Sequence, residues 1–216
     1  MDIINYLQML PKHLNLEIAT SLIPIIHRIG LEHGTKLFDN YNFRTMAMYV
    51  QVQKIWDDLV LSKKRTGVDS TSIKYNLKDV EFKTGNDDKQ ENPLKTSFMW
   101  DKQLEDVRRK KTLESDAFVL GRFECEGLQI ILIGYEKETL DFIRSLMLNK
   151  QKILVENWNK NISEGKRGGT DAIRLNYEEL LQKNDIIWSL WIGGCWHESI
   201  SSKDCLAIIS NLPSIN

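Results

Sequence analysis

Hydrophobic positions in the first sixty residues recur at the three- and four-residue steps of an α-helix. A break at residues 34–41 separates two such runs. The recurring positions are Leu14, Ile18, Leu22, Ile25, Ile26 and Ile29, then Met46, Tyr49, Val50 and Trp56, with the polar Gln53 at the same spacing. Because side chains three and four residues apart share one face of a helix, the pattern predicts two or more helices before the first strand.

From Ser72 onward, the pattern changes to short alternating or continuous apolar runs, which are typical of β-strands. The predicted strands are 73–75, 79–84, 117–123, 128–135 and 171–177. The predicted helices in this part of the chain are 100–111, 138–155 and 178–183. Residues 85–95 are polar and predict a loop, and the turn at 124–127 joins two buried strands.

These elements predict one α/β domain with a mixed central sheet flanked by helices. No internal repeat and no linker divides the chain. Residues 186–196 are rich in tryptophan, and we interpret them as a hydrophobic segment that docks on the core or on a second subunit. Both arrangements suit Trp188, Trp191 and Trp196.

The charge balance limits the ways in which this chain can bind nucleic acid. The chain has 29 Lys and Arg against 30 Asp and Glu, for a formal net charge of −1. This excludes a generally basic surface, so binding to DNA would need a local basic cleft. Basic residues cluster at 63–65, 108–111 and 166–167. Each cluster taken singly is explained by a solvated surface, although the first and third also suit phosphate contact.

The cysteines and histidines show no metal-binding spacing. Cys125, Cys195 and Cys205 lack the close pairs of a zinc site, and any single disulfide would leave one of them unpaired. We therefore expect a reducing compartment and a cytoplasmic protein. The first residues lack a positively charged region, and no apolar run is long enough to span a bilayer, so neither a signal peptide nor a membrane anchor is expected.

The candidate chemistry lies in Gly67-Val68-Asp69 and Val80-Glu81-Phe82-Lys83. Strand alternation predicts that Glu81 and Lys83 share one face, while Val80 and Phe82 enter the core on the other. If the chain returns as a hairpin after Asp69, that carboxylate reaches the same pocket. Two carboxylates suit Mg²⁺, and a lysine beside an attacking water suits phosphodiester hydrolysis. By itself, Glu-x-Lys is more often an ordinary charged pair on a solvated strand.

Several segments, in order and spacing, resemble the PvuII-like type II restriction endonucleases, which carry the Asp…Glu-x-Lys nuclease core. The segments span most of residues 14–180. They are 31–34, 38–40, 67–69, 81–83, 116–121, 130–135, the stretch at Trp158, and 168–177. The resemblance implies the α/β fold of that family and its reaction.

The resemblance also implies roles for particular residues. Asp69 and Glu81 would bind Mg²⁺, and Lys83 would orient or deprotonate the attacking water. Asp39 would lie at the DNA and at the subunit interface. Because Asp69 and Glu81 are slightly further apart than in the family, Asp79 is an alternative second carboxylate.

Departures from the family pattern fall at its base-reading positions. Consecutive histidines are replaced by residues 97–101, and paired asparagines by residues 167–169. These changes imply another target sequence rather than another reaction. The residues predicted to contact DNA, besides Asp39, are Ser97, Phe98, Trp100, Lys166, Arg167 and Gly168.

We therefore expect a Mg²⁺-dependent type II restriction endonuclease that hydrolyses double-stranded DNA at a short palindromic site as a homodimer. Within a single nuclease domain over 1–216, residues 1–60 would form the helical dimerisation part and 61–183 the catalytic and recognition core. Residues 184–216 would be a C-terminal extension. A repair or recombination nuclease of the same fold is one alternative, and a DNA-binding protein without catalysis is another.

Overall fold

A mixed β-sheet is the centre of the computed structural model of this protein. The structure describes residues 41–61, 70–86, 98–101, 115–124, 127–166 and 172–211. The described helices are α1 Tyr41–Gln53, α2 Lys137–Ser163, α3 Tyr177–Leu181 and α4 Ser202–Ser210. The described strands are β1 Val60–Leu61, β2 Ser70–Ser72, β3 Leu77–Asn86, β4 Phe98–Asp101, β5 Ala117–Glu124, β6 Gly127–Gly134, β7 Ala172–Leu175, β8 Ile187–Ile192 and β9 Cys195–Ser201.

Seven of these strands form one sheet in the order β1-β2-β3-β5-β6-β8-β9. Strands β3 and β5 are parallel, and the other neighbours are antiparallel. Strands β4 and β7 form a separate antiparallel pair. The prediction of an α/β fold with a mixed central sheet flanked by helices is confirmed.

The sheet buries a hydrophobic core on each of its faces. The side chains packed on the α1 side include Val80, Phe82, Val119, Phe123, Ile131 and Ile133. Those packed on the side of α2, α3 and α4 include Phe118, Leu120, Leu132, Ile143, Met147 and Trp188. Successive side chains of a strand point to opposite faces. From Val80 onward, odd-numbered residues of β3 therefore share the face toward α2 with even-numbered residues of β5.

Helix α1 approaches β5 closely because Gly121 has no side chain. A Cβ atom added at Gly121 would lie 2.3 Å from Sδ of Met48, which is fully buried on α1. This distance is shorter than a van der Waals contact, so the helix packs where it does because position 121 is glycine.

The predicted strand at 73–75 is wrong. Strand β2 lies just before it, and residues 73–76 form a turn that leads into β3. Asn76 has a φ of 53°, a left-handed conformation that asparagine tolerates better than most residues. The neighbouring prediction is confirmed, because β3 contains all of 79–84.

Two helix predictions also need correction. Trp100 and Asp101, predicted to begin a helix, belong to strand β4, and residues 102–111 lie outside the described ranges. Helix α2 continues beyond 155 to Ser163. It ends in a Schellman-type cap, in which Lys166 N–H donates to Asn161 O and Gly165 N–H to Ile162 O, with φ of 72° at Gly165.

The tryptophan-rich segment joins the main sheet as the hairpin β8–β9. Gly193 and Gly194 form its two-residue turn with φ of 57° and 83°, which glycine adopts readily. Trp188 is buried, and its indole N–H donates to Ser202 Oγ at 2.9 Å. This part of the segment therefore packs on the chain's own core.

Tyr49 of α1 also faces the interior of the chain. Tyr49 is 8% exposed, and its hydroxyl donates to Leu59 O at 2.9 Å. Its ring lies against Phe82 of β3, with the ring centroids 6.2 Å apart. Tyr49 is thus a core residue of this chain, and its side chain is not presented to a second subunit. No helix within the described ranges is long and apolar enough to cross a membrane.

Candidate active site

Glu81 and Lys83 project together from β3 on the face opposite α1. Val80 and Phe82 between and beside them are fully buried on the α1 side. Lys83 Nζ and Glu81 Oε1 form an ion pair, with the two side chains 17% and 8% exposed. The predicted alternation is confirmed, and it brings a carboxylate and an ammonium group into contact.

The strand next to this pair is apolar. Glu81 lies beside Phe118 and Lys83 beside Leu120 in the parallel register of β3 and β5. Both neighbours belong to the core on the α2 side. A charged pair at the border of such a core is screened less than one in open solvent, so it acts more strongly on any charge that enters the site.

The β2–β3 hairpin returns the chain that follows Asp69 to this strand. Ser70 pairs with Val80, and Ser72 pairs with Leu77. Two steps along β2 therefore match three steps along β3, which defines a β-bulge at Lys78 and Asp79. The additional residue accounts for part of the long spacing between Asp69 and Glu81.

Asp116 holds this bulge in place. Its Oδ2 accepts hydrogen bonds from Lys78 N at 2.7 Å and Asp79 N at 3.1 Å. In return, Asp116 N donates to Asp79 O at 2.8 Å. The role of Asp116 was not predicted, although an Asp directly before an apolar strand is a residue type that often binds nearby backbone N–H groups.

Asp79 lies two residues before Glu81 on β3, at the bulge. Leu77 and Val80 both belong to the core on the α1 side, so the strict alternation of the strand is interrupted between them. Asp79 is half-buried. Its place along the strand keeps it as the alternative second carboxylate.

Arg122 adds a second positive charge to this face. It lies on β5 beside Gly85 of β3 and is 2% exposed. Burial raises the pKa of the Tyr177 hydroxyl, and the positive charge of Arg122 acts in the opposite direction, so the two groups are near each other. Sequence analysis missed Arg122 because only the register of β5 shows which face it occupies.

Strand β4, which contains the predicted DNA-contact residues Phe98 and Trp100, pairs with β7. Phe98 is opposite Leu175, and Trp100 is opposite Ile173, in the pair formed by β4 and β7. About seventy residues separate these segments in sequence. Strand β4 also lies next to β3, which carries Glu81 and Lys83.

Of the other residues predicted to contact DNA or metal, the structure describes only Lys166. Lys166 follows the α2 cap, is exposed, and forms an ion pair with Glu164 at 2.6 Å. Asp39, Ser97, Arg167, Gly168 and the predicted ligand Asp69 lie outside the described residues. Within the described ranges, no three Asp, Glu, His or Cys side chains converge in a way that could hold a metal ion. A Mg²⁺ site at Glu81 would thus need a ligand from elsewhere in the chain, from the DNA or from water.

Comparison of the chain with models of known protein families and with curated proteins found no match.

Proposed function

We propose that this protein is a Mg²⁺-dependent endonuclease of the type II restriction class, acting on a short palindromic site in double-stranded DNA. The observation that carries this proposal is the Glu81–Lys83 pair on β3, next to the two-stranded sheet that contains Phe98 and Trp100. A carboxylate and an ammonium group held together suit phosphodiester hydrolysis, and strands beside them suit contact with DNA.

Glu81 is the first ligand that this proposal assigns to Mg²⁺, because hard carboxylate oxygens are the ligands this cation prefers. Asp69 is the second. It directly precedes Ser70, whose partner in the sheet is Val80, the residue before Glu81. Because the residue after Asp69 is paired with the residue before Glu81, the proposal assigns both carboxylates to one metal ion. When bound, Mg²⁺ would polarise the phosphate and lower the pKa of a bound water.

Lys83 supplies positive charge beside the attacking water. Its ammonium group contacts Glu81 Oε1, which keeps the flexible side chain over the site. From this position it can orient the water and stabilise the negative charge that develops on the phosphate during attack. Arg122 lies on the same face and makes the surrounding potential more positive, which favours an anionic substrate.

The β4–β7 pair is the proposed recognition element. A two-stranded β-ribbon fits the major groove of DNA, where side chains can distinguish all four base pairs. Arg167 and Gly168 precede β7 by a few residues. A homodimer would place two such elements on the two halves of a palindrome and one catalytic pair on each strand.

Incubation of the purified protein with phage DNA and Mg²⁺ tests this function. A set of discrete fragments is expected because recognition precedes cutting. A continuous smear would instead support a repair or recombination nuclease, and intact DNA would support binding without catalysis. Omission of the metal, with EDTA present, should leave the DNA intact in every case.

The choice between the two candidate carboxylates is tested by paired substitutions. Asp69→Asn should abolish cleavage because it removes the second proposed ligand, whereas Asp79→Asn should keep most of the activity. Cleavage rates measured across a Mg²⁺ titration distinguish a lost ligand from weakened metal affinity. An active Asp69→Asn variant beside an inactive Asp79→Asn variant would make Asp79 the ligand instead.

Adjacent basic residues should have different effects on DNA binding. Arg167→Ala should reduce the preference for the cognate site over random DNA by about 1–3 kcal/mol, the value of a good bidentate contact to a base. Lys166→Ala, the matched control, should weaken both complexes alike and reduce the salt dependence, as expected of a phosphate contact. Competition binding in Ca²⁺ measures both affinities. An unchanged specificity ratio in Arg167→Ala would exclude this residue as a base reader.

A further inference from the structure

One buried hydrogen bond joins the end of β7 to β5, directly beside Lys83. The Tyr177 hydroxyl donates to Leu120 O at 2.9 Å, and Tyr177 is 2% exposed. Leu120 is the register partner of Lys83 in the parallel pair of β3 and β5. Tyr177, two residues after β7, is thus hydrogen-bonded to β5, the strand that lies beside Lys83.

The chain around Tyr177 is rigidly held on the side of β7. Leu175 is fully buried and pairs with Phe98 of β4. Asn176 caps helix α3, and Glu179 completes the capping box by accepting from Asn176 N at 2.9 Å. Glu179 is also anchored to α2 by an ion pair with Lys150 at 2.5 Å. Tyr177 is therefore connected to β7 through the chain and to α2 through Glu179.

The chain is equally constrained on the side of the active site. Leu120 packs in the core, and the strand continues to Arg122, whose charge is near the Tyr177 hydroxyl. Strands β3 and β5 share seven consecutive register pairs from Val80–Ala117 to Asn86–Phe123, so they shift together. Movement at Leu120 O is thereby passed to Lys83.

We propose that Tyr177 is a positioning residue that couples the seating of the β4–β7 pair on DNA to the placement of Lys83 at the scissile phosphate. This proposal rests on the proposed nuclease function. A catalytic group misplaced by about 1 Å can cost on the order of a hundredfold in rate, so a single buried bond between the two elements has a measurable effect on chemistry.

The test is Tyr177→Phe, which removes the hydroxyl and keeps the ring. The single-turnover rate constant for cleavage of cognate DNA in Mg²⁺ should fall about tenfold to a hundredfold, while affinity for the same DNA in Ca²⁺ stays within about twofold of wild type. The ratio of cleavage rates between the cognate site and a site with one changed base should also fall, because recognition no longer controls the position of Lys83.

Thr139→Val is the matched control. Thr139 is fully buried, and its hydroxyl donates to Ile187 O at 2.6 Å, far along the sheet from β3. Both substitutions remove a buried hydroxyl without changing the shape of the side chain, so both should lower the melting temperature. Only Tyr177→Phe should change the rate constant, which reports on bound, folded enzyme and is insensitive to the fraction that has unfolded.

If Tyr177→Phe does not fold, Glu179→Gln tests the same coupling by a change on the β7 side of Tyr177. It weakens the capping box and the ion pair with Lys150 while it keeps the hydroxyl, and it should lower the rate constant without a matching loss of affinity. A wild-type rate constant in the folded variant, or an equal fall in Thr139→Val, would overturn this proposal alone. Failure of the wild-type protein to cleave any DNA would overturn the proposed function and this proposal with it.

Discussion

Replacement of Glu81 by glutamine is expected to abolish DNA cleavage while the protein stays folded and still binds DNA. Glutamine has almost the same shape and keeps one carbonyl oxygen, so the packing beside Phe118 should survive. It lacks the negative charge that would hold Mg²⁺ and pair with Lys83. Because a bound metal contributes several kcal/mol to such reactions, the loss in rate should be on the order of a thousandfold or more.

Single-turnover cleavage in Mg²⁺ and filter binding in Ca²⁺ measure the two effects of Glu81→Gln separately. Asp141→Asn is the control, since it also removes a carboxylate from an ion pair, here with Arg144 on α2, and it should cut like wild type. Circular dichroism checks that both variants are folded. Full cleavage by a folded Glu81→Gln variant would contradict the assignment of the site to β3.

Tyr49→Asp is expected to unfold the protein rather than to produce a folded monomer. The substitution places a charge where a ring packs on Phe82 and a hydroxyl bonds to Leu59 O. A buried, unpaired charge costs several kcal/mol or more, which is a large part of the roughly 5–15 kcal/mol that stabilises a typical domain. Loss of cooperative thermal unfolding, followed by circular dichroism, is the expected observation.

Gln51→Asp is the matched control for Tyr49→Asp. Gln51 lies on the same helix and is half-buried, so the new carboxylate can reach water there. This variant should therefore unfold cooperatively within a few degrees of wild type. A folded, monomeric Tyr49→Asp variant beside a dimeric wild type would instead show that Tyr49 lies in a subunit contact.

The strands that sequence reasoning located correctly are those with a strong local pattern. Strand β3 alternates clearly, and β5 and β6 are continuous apolar runs with a turn between them. Strand β2 has no such pattern, because Ser-Thr-Ser contains no apolar residue. Its position follows from pairing with β3, which no local pattern encodes.

Strand β4 and the C-terminal hairpin were missed for different reasons. Residues from Trp100 onward have helical spacing, but β4 is held extended by β7, a partner about seventy residues away. Here the tertiary partner overrides local propensity. The hairpin had a local signal in Gly193-Gly194, a common two-residue turn, directly after the apolar run that forms β8. The many tryptophans favoured the interpretation of this stretch as a docking segment instead of a hairpin.

Some residues of the candidate site follow from a local pattern, and others depend on long-range pairing. Glu81 and Lys83 are two residues apart on one strand, so alternation alone predicts their contact. Asp116, Arg122 and Tyr177 reach the site only through long-range contacts. These are the bonds of Asp116 to the β3 bulge, the register of β3 with β5, and the hydrogen bond from Tyr177 to Leu120 O. Such long-range placement cannot be read from periodicity, and one of these residues, Tyr177, carries the further inference.

The most direct test of the proposed function is to map both ends of every break that the protein makes in plasmid DNA with Mg²⁺. The mapped ends should all fall in one short palindromic sequence, at positions related by its two-fold axis on the two strands, and none should form with EDTA or with the Glu81→Gln variant. Ends scattered without a common sequence, or DNA left intact by the wild-type protein, would contradict a site-specific endonuclease.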